Sequence, residues 1–327
     1  MAAARAARRH TLTSPPDTLP GHRHQGDTMS TIAFIGLGIM GSPMAVHLAT
    51  AGHQVVGFNR SPDAYGPLEE AGGRAAGSLA EAVAEADVIC VMVPDSPDVE
   101  QVLTAEDGVL AHARRGALVI DFSSIRPDVA RSLAERATDA GLRMIDAPVS
   151  GGQKGAVDAV LSIMVGGEEA DVEEARPLLE TVGRTVVHVG PAGSGQTVKA
   201  ANQLIVAGNI QLVAEALVFL EAYGVDTAAA MDVLGGGLAG SKVLEQKRGN
   251  MLDRSFDPGF RIDLHHKDLG IVTSAAREAG VVIPLGAVVA QLMASARAQG
   301  DGGLDHSALL RGVERLSGRG DASPEGD

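Results

Sequence analysis

The sequence predicts a doubly wound, mostly parallel α/β sheet followed by an all-helical domain, and three observations carry that expectation. Between residues 31 and 190, short runs rich in Val, Ile and Ala alternate with helical stretches. That is the pattern of a sheet whose two faces are both covered by helices. Beyond Gly190 the β runs cease and helical stretches follow one another. At the join, residues 193–223 read as a single helix. At the α-helical rise it is roughly 45 Å long, enough to leave one domain and become the spine of the next. The implied organisation is an extension at 1–29, an α/β domain at 30–192, a helical domain at 193–318 and a tail at 319–327.

The β runs are, in order, TIAFIG, HQVVGFN, a weak RAAG, DVICVMVP, ALVIDFS, RMIDAPVS, LSIMVGG and TVVHVG. Each is short, apolar and rich in β-branched residues. Between most of them lie helical stretches such as MGSPMAVHLATAG, SLAEAVAEA, PDVARSLAERATDAG and EADVEEARPLLETVG. In the second half, helices are expected at 193–223 and at about 227–234, 241–251, 261–279, 284–298 and 307–316. The Gly-, Asp- and Pro-rich residues after Ser317 are expected to fray.

Composition fits two domains of ordinary size. Of the 327 residues, 45% are hydrophobic but only 2% aromatic, with no Trp, so the core must be built from Ala, Val, Leu, Ile and Met. The net charge is −14. An acidic body without a basic stripe argues against nucleic acid or anionic membranes as partners. Cys90 is the single cysteine, which rules out an intrachain disulfide. Its apolar run suggests an inert buried thiol. The longest apolar stretch, 204–220, is interrupted by Asn209, Gln211 and Glu215 and reads as a buried helix, not a membrane span. A cytoplasmic enzyme is the expectation. Residues 1–28 carry Arg5, Arg8, Arg9 and Arg23 against Asp17 and Asp27 and show no periodicity. They suit either a transit peptide or, as we favour, a disordered tail preceding a start at Met29.

FIGLGIMG places Gly36-x-Gly38-x-x-Gly41 between a β run and a helical stretch. The motif alone is weak, and a plain tight turn would explain it. Its place at the head of a β–α–β unit makes it a dinucleotide loop, in which glycines let a pyrophosphate approach the helix N-terminus. Leu37, Ile39 and Met40 complete that loop. The second β run ends in Asn59-Arg60, where an acidic residue would select NAD. An amide and a guanidinium suit a 2′-phosphate, so NADP is favoured, with NAD possible. Ligands of open α/β sheets lie beyond the carboxyl ends of strands. Val93, Pro94 and Ser123 follow further β runs and join the cofactor set. Ser124 also falls at such an end, as does Ser150-Gly151-Gly152, which offers a hydroxyl and backbone N–H groups to a carboxylate.

Lys199 is the lone positive charge on the long apolar helix, with Asn202 and Gln203 three and four residues on, hence on the same face. A lone lysine on such a helix commonly snorkels to solvent. Beside two amides at a domain junction, it is better read as a desolvated lysine with a lowered pKa, able to give and take a proton. Hydride reduction of a carbonyl leaves an alkoxide that needs that proton.

FIGLGIMGSPM, DFSS, DAPVSGG, GSGQTVKAANQ and FRIDLHHKDLG, in that order, resemble the successive motifs of the β-hydroxyacid dehydrogenases over about residues 31–317. The resemblance implies a Rossmann-type domain, a nicotinamide cofactor and catalysis by Lys199. It puts Ser124 and Ser150 on substrate-contacting positions, Phe260 and Asp268 on positions that shape the site, and Lys267 on a cofactor-contacting one. Within the family, LSIMVGG, KAANQLIVAGNI and LDHSAL most resemble the branch that reduces 2-hydroxy-3-oxopropionate. Gln203 stands where 3-hydroxyisobutyrate dehydrogenases commonly carry Asn, which counts against that neighbour. Glyoxylate or succinate semialdehyde reduction remains open, as does a different class, a non-catalytic nucleotide-binding module. The latter would be expected to have lost the lysine motif. Imine reductases share the architecture but generally lack this lysine.

His265 and His266 suggest a metal, but adjacent helical residues diverge by about 100° and no third ligand sits at suitable spacing. No metal is expected. Asp305 reads as a helix N-cap without chemistry. The many apolar helical faces suggest a homodimer or homotetramer.

Overall fold

A strand buried on both faces needs helices above and below it, and alternate residues of each strand supply the two layers. In the computed structural model, which describes residues 29–61 and 64–319, β1 (Thr31–Ile35) sends Phe34 into one apolar layer and Ala33 and Ile35 into the other. The expectations for 1–28 and 320–327 lie outside the described residues. α1 (Gly41–Thr50), β2 (Gln54–Phe58), α2 (Gly66–Glu70), β3 (Arg74–Ala75) and α3 (Leu79–Val83) follow. Then come β4 (Val88–Val91), α4 (Ser96–Thr104), α5 (Val109–His112), β5 (Leu118–Asp121), α6 (Pro127–Asp139) and β6 (Arg143–Asp146). Leu79, Val83, Val99, Leu103, Val129 and Leu133, from α3, α4 and α6, pack one face of the sheet. Met44 and Leu48 of α1 pack the other.

The strand order β3-β2-β1-β4-β5-β6 is parallel throughout. It reverses between β1 and β4, and that switch point is where open α/β sheets bind ligands. The run RMIDAPVS, expected as one strand, divides into β6 and β7 (Val149–Ser150). Pro148 has no N–H for a ladder, so the chain breaks there. After α7 (Gly152–Val157), β8 (Leu161–Gly166) runs antiparallel to both β6 and β7. α8 (Glu169–Val182) then leads to β9 (Gly183–Gly190), parallel to β8.

Gly193, at φ +85°, turns the chain into α9 (Ser194–Ala222). This helix is long and apolar enough to cross a membrane by length and composition alone. Here Ala207, Ile210, Ala214 and Leu217 bury one face of it in the second core. Around it stand α10 (Thr227–Gly236), α11 (Lys242–Leu252), α12 (Ile262–Glu278), α13 (Pro284–Ala296) and α14 (Leu309–Leu316). The last helix was expected from 307. Instead a 3₁₀ turn at His306–Ala308, capped by Asp305, precedes it.

Candidate active site

The three loop glycines differ in what they need. Gly36 has φ +95°, and a Cβ there would lie 2.2 Å from the Met92 carbonyl oxygen. A Cβ at Gly41 would lie 1.9 Å from the Gly36 carbonyl oxygen. Both are demanded by the turn itself. A Cβ on Gly38 would meet no protein atom within 4 Å. The turn itself does not need that glycine, and open space lies beside it at the start of α1. Ile39 is exposed, Met40 half-buried and Leu37 buried on the same loop.

Asn59 fastens this loop. Its Oδ1 accepts from Leu37 N–H at 3.0 Å and its Nδ2 donates to the Ser61 carbonyl at 3.0 Å. That engages both ends of its amide within the fold. The Arg60 guanidinium is 80% exposed and only 3.8 Å from Asp98 as an ion pair. Ser123 is fully buried, and its hydroxyl accepts from Val93 N–H at 3.0 Å. It ties the ends of β4 and β5 together. Pro94 follows Val93 directly and is exposed.

At the junction of the domains an open cleft of about 170 Å³ is lined by Ser124, Lys199, Gln203 and Asp268 among others. Lys199 is 8% exposed. Its Nζ donates to Gln203 Oε1 at 3.2 Å, and Asn202 Nδ2 donates to the same oxygen at 2.8 Å. Gln203 Nε2 donates to Asp268 Oδ2 at 2.5 Å. Burial pushes the Lys199 ammonium down to about 8, the Asp268 carboxylate opposing and Lys267 reinforcing that fall. Lys267 Nζ pairs with Asp268 Oδ1 at 2.8 Å and directs a hydrogen bond to the Ser124 carbonyl at 2.7 Å. Lys267, expected at the cofactor, thus joins Asp268 of its own helix to the backbone of Ser124.

Ser150, Gly151 and Gly152 do not line this cleft. They form the turn from β7 into α7, with Gly151 at φ +141° and Gly152 at φ +62° and open space beside the latter. Phe260 stands behind the site, edge-on to His265 at 5.6 Å and His306 at 5.4 Å. His265 Nε2 meets the Gln203 carbonyl at 3.2 Å, so that nitrogen carries the proton, and His265 Nδ1 meets His306 Nδ1 at 3.0 Å. Burial lowers the pKa of both imidazoles, so both are neutral. His265 is thus a fixed prop beneath Gln203.

Residues 31–190 match the family described as the NAD binding domain of 6-phosphogluconate dehydrogenase. Residues 193–313 match that described as NAD-binding of NADP-dependent 3-hydroxyisobutyrate dehydrogenase. The chain is 43% identical over 287 residues to the 2-hydroxy-3-oxopropionate reductase of Escherichia coli (strain K12), covering 88% of this chain and 98% of that one. It belongs to the β-hydroxyacid dehydrogenase family. The probable 3-hydroxyisobutyrate dehydrogenase of Mycobacterium bovis is 38% identical over 301 residues, covering 90% of this chain and all of its own. A solved Mycobacterium tuberculosis 3-hydroxyisobutyrate dehydrogenase with L-serine superposes with a TM-score of 0.80 at 38% identity, covering 86% of this chain and 98% of that one.

As a β-hydroxyacid dehydrogenase the chain is an NAD(P)-dependent oxidoreductase. The nicotinamide cofactor, when bound, supplies or accepts the hydride. The glycine loop and Arg60 suit its phosphates. Two carboxylates that the sequence reading passed over brace this dehydrogenase. Asp146, ending β6, accepts from the N–H groups of Gly193 at 2.6 Å and Gln196 at 2.9 Å, capping the helix that carries Lys199. Burial raises its pKa to about 6 in spite of those donors. Asp121, ending β5, is fully buried and accepts from Ser123 N–H at 2.9 Å; burial raises it to about 7. A strand-end Asp facing a glycine-capped helix was the available signal.

The open space at Gly38 yields a sharp contrast. Gly38→Ala should leave the melting temperature within a few degrees while weakening NADPH binding by roughly tenfold or more, about 1.4 kcal/mol. Gly41→Ala should unfold the loop. Cofactor titration by fluorescence beside a thermal melt checks both. Unchanged NADPH affinity in Gly38→Ala would remove the phosphates from this loop.

Proposed function

We propose that this dehydrogenase reduces 2-hydroxy-3-oxopropionate to glycerate, with NADPH as hydride donor and Lys199 as general acid. The observation that carries the reading is the buried Lys199–Gln203–Asp268 chain in the junction cleft. The bond that forms is C–H at the aldehyde carbon, and the carbonyl π bond becomes an alkoxide. Lys199 Nζ delivers the proton that completes the alcohol, and it recovers one from solvent. Gln203 holds the ammonium, while Ser124 holds the substrate carboxylate. The named activity of the Escherichia coli relative supports this substrate. The test is a panel of 2-hydroxy-3-oxopropionate, 2-methyl-3-oxopropionate, succinate semialdehyde and glyoxylate, assayed with both cofactors. The first should show the highest kcat/KM. A higher value for 2-methyl-3-oxopropionate would transfer the chain to the 3-hydroxyisobutyrate branch.

Arg60 supports NADPH over NADH, because a guanidinium can bond a 2′-phosphate in paired fashion. Asn59→Asp keeps the acceptor for Leu37 N–H and adds a charge that repels that phosphate. Combined with Arg60→Ala, it should move the ratio of kcat/KM toward NADH by ~10-fold or more, about 1.4 kcal/mol. A ratio untouched by the double change would make Arg60 a surface charge only.

The working enzyme is proposed as a cytoplasmic homo-oligomer. Val198, Ile205, Leu212 and Phe219 recur every seven residues on the outer side of α9 and are between 38% and 63% exposed. A regular apolar stripe of this kind is what a second copy would cover.

A further inference from the structure

Ser124 and Lys199 line one cleft but belong to different domains. Something must set the distance between them, and the atoms that do so lead to Gln196. This side chain is 1% exposed and lies one helical turn before Lys199, on the same face of α9. Its Nε2 donates to the Ser123 carbonyl at 2.8 Å, and its Oε1 accepts from Ile125 N–H at 3.0 Å. The two bonds flank Ser124 on either side, as a neighbouring strand would. The Ser124 carbonyl is held in turn by Lys267 at 2.7 Å. Gln196 itself is anchored, since its backbone N–H donates to Asp146 Oδ2 at 2.9 Å. The backbone around Ser124 is therefore held on three sides, and two of the three bonds come from one amide.

We infer that Gln196 is a positioning residue that locks Ser124 to the helix carrying Lys199, so that the residue contacting substrate and the proton donor act on one molecule in fixed register. A primary amide suits this role because it has one acceptor and one donor at the spacing of a peptide unit. Both bonds are buried, so neither competes with water. A displacement of about 1 Å between substrate contact and proton donor costs on the order of 10²-fold in rate.

The inference rests on the cleft being the carbonyl-reducing site, and two readouts separate its failure from that reading's. Gln196→Met removes both bonds at similar volume. It should lower kcat/KM for the aldehyde by ~30-fold or more while NADPH affinity stays within about twofold. In a Ser124→Ala background the same change should cost less than about threefold, because residues acting through one contact are not additive. Hydrogen exchange at the Ile125 amide should accelerate in Gln196→Met even if no aldehyde tested is a substrate. Additive losses in the cycle, or an Ile125 amide as protected as in the parent, would overturn the inference.

Gln196→Glu gives a test that survives a poorly folding Met variant. A protonated carboxyl keeps one acceptor and one donor, whereas a carboxylate has no donor for the Ser123 carbonyl. The kcat/KM of Gln196→Glu relative to parent should fall as pH rises from 6 to 9. Asp121, Asp146, Lys199, Lys267 and Asp268 lie around the position, and a carboxylate at 196 favours the Lys199 ammonium; by itself that would raise the ratio for reduction at high pH, opposite in sign to the loss of the bond. A ratio flat across that range would contradict the clasp.

Discussion

Replacing Lys199 by Met should cut turnover by at least ~10²-fold while leaving cofactor affinity within about twofold, the usual cost of losing a general acid. The same change should stabilise the fold. In the folded protein the lysine titrates near 8, against an ordinary value of 10.5. Between those values the folded state binds fewer protons than the unfolded chain. Its burial therefore weighs on folding below pH 8, and that weight disappears as pH rises through 10.5. At pH 7 the ionised lysine costs on the order of 2–3 kcal/mol, which Met would remove. Activity and stability should thus move in opposite directions at one residue, as expected where a site is held in strain for function. A variant that kept near-normal turnover would remove Lys199 from the chemistry. One that lost both activity and stability would make it a structural charge.

Asp305→Ala should be the most damaging substitution outside the cleft. The carboxylate is fully buried and accepts from Lys247 Nζ at 2.9 and 3.0 Å, from Gly259 and Phe260 N–H at 3.0 Å each, and from Ser307 Oγ at 2.7 Å. Burial opposes its ionisation, yet the surrounding donors hold it below the usual carboxylate range. With His306 neutral, the Lys247 ammonium is the charge responsible. Removing the carboxylate strands Lys247 and frees the segment that carries Phe260. Breaking a buried pair from one side costs about 3–5 kcal/mol, roughly 10 °C in melting temperature for a chain of this size. Since the native value is depressed, the contribution is complete above the usual carboxylate range and is lost as pH falls below it. A melt within two degrees of the parent would show that the network contributes nothing.

What could be read from the sequence followed from local pattern. Strands β1, β4 and β5 are apolar on both faces, so their runs are unbroken and easily found. An apolar run has no direction, however, and the antiparallel β8 could not be told from a parallel strand. Lys199 stood out because it is the lone positive charge on an apolar helix, and Gln203 with it, four residues on. The contacts that brace them did not, because they join residues remote in sequence. Gln203 meets Asp268 across 65 residues, Asp146 meets Gln196 across 50, and Gln196 meets Ile125 across 71. Ser123 and Asn59 were legible as polar residues at strand ends, but not the neighbouring backbone groups that they satisfy. Asp305 was legible as a helix cap, but Ser307 is one of four residues that it holds.

The most direct test of Lys199 as the proton carrier is kcat/KM against pH in both reaction directions. Reduction needs the ammonium, so its kcat/KM should fall as pH rises past about 8. Oxidation of the hydroxyacid needs the free amine, so its kcat/KM should rise through the same pH and then level. In Lys199→Met both bends should vanish from the residual activity. Profiles that bend the same way in both directions, or bends that persist in Lys199→Met, would contradict the account.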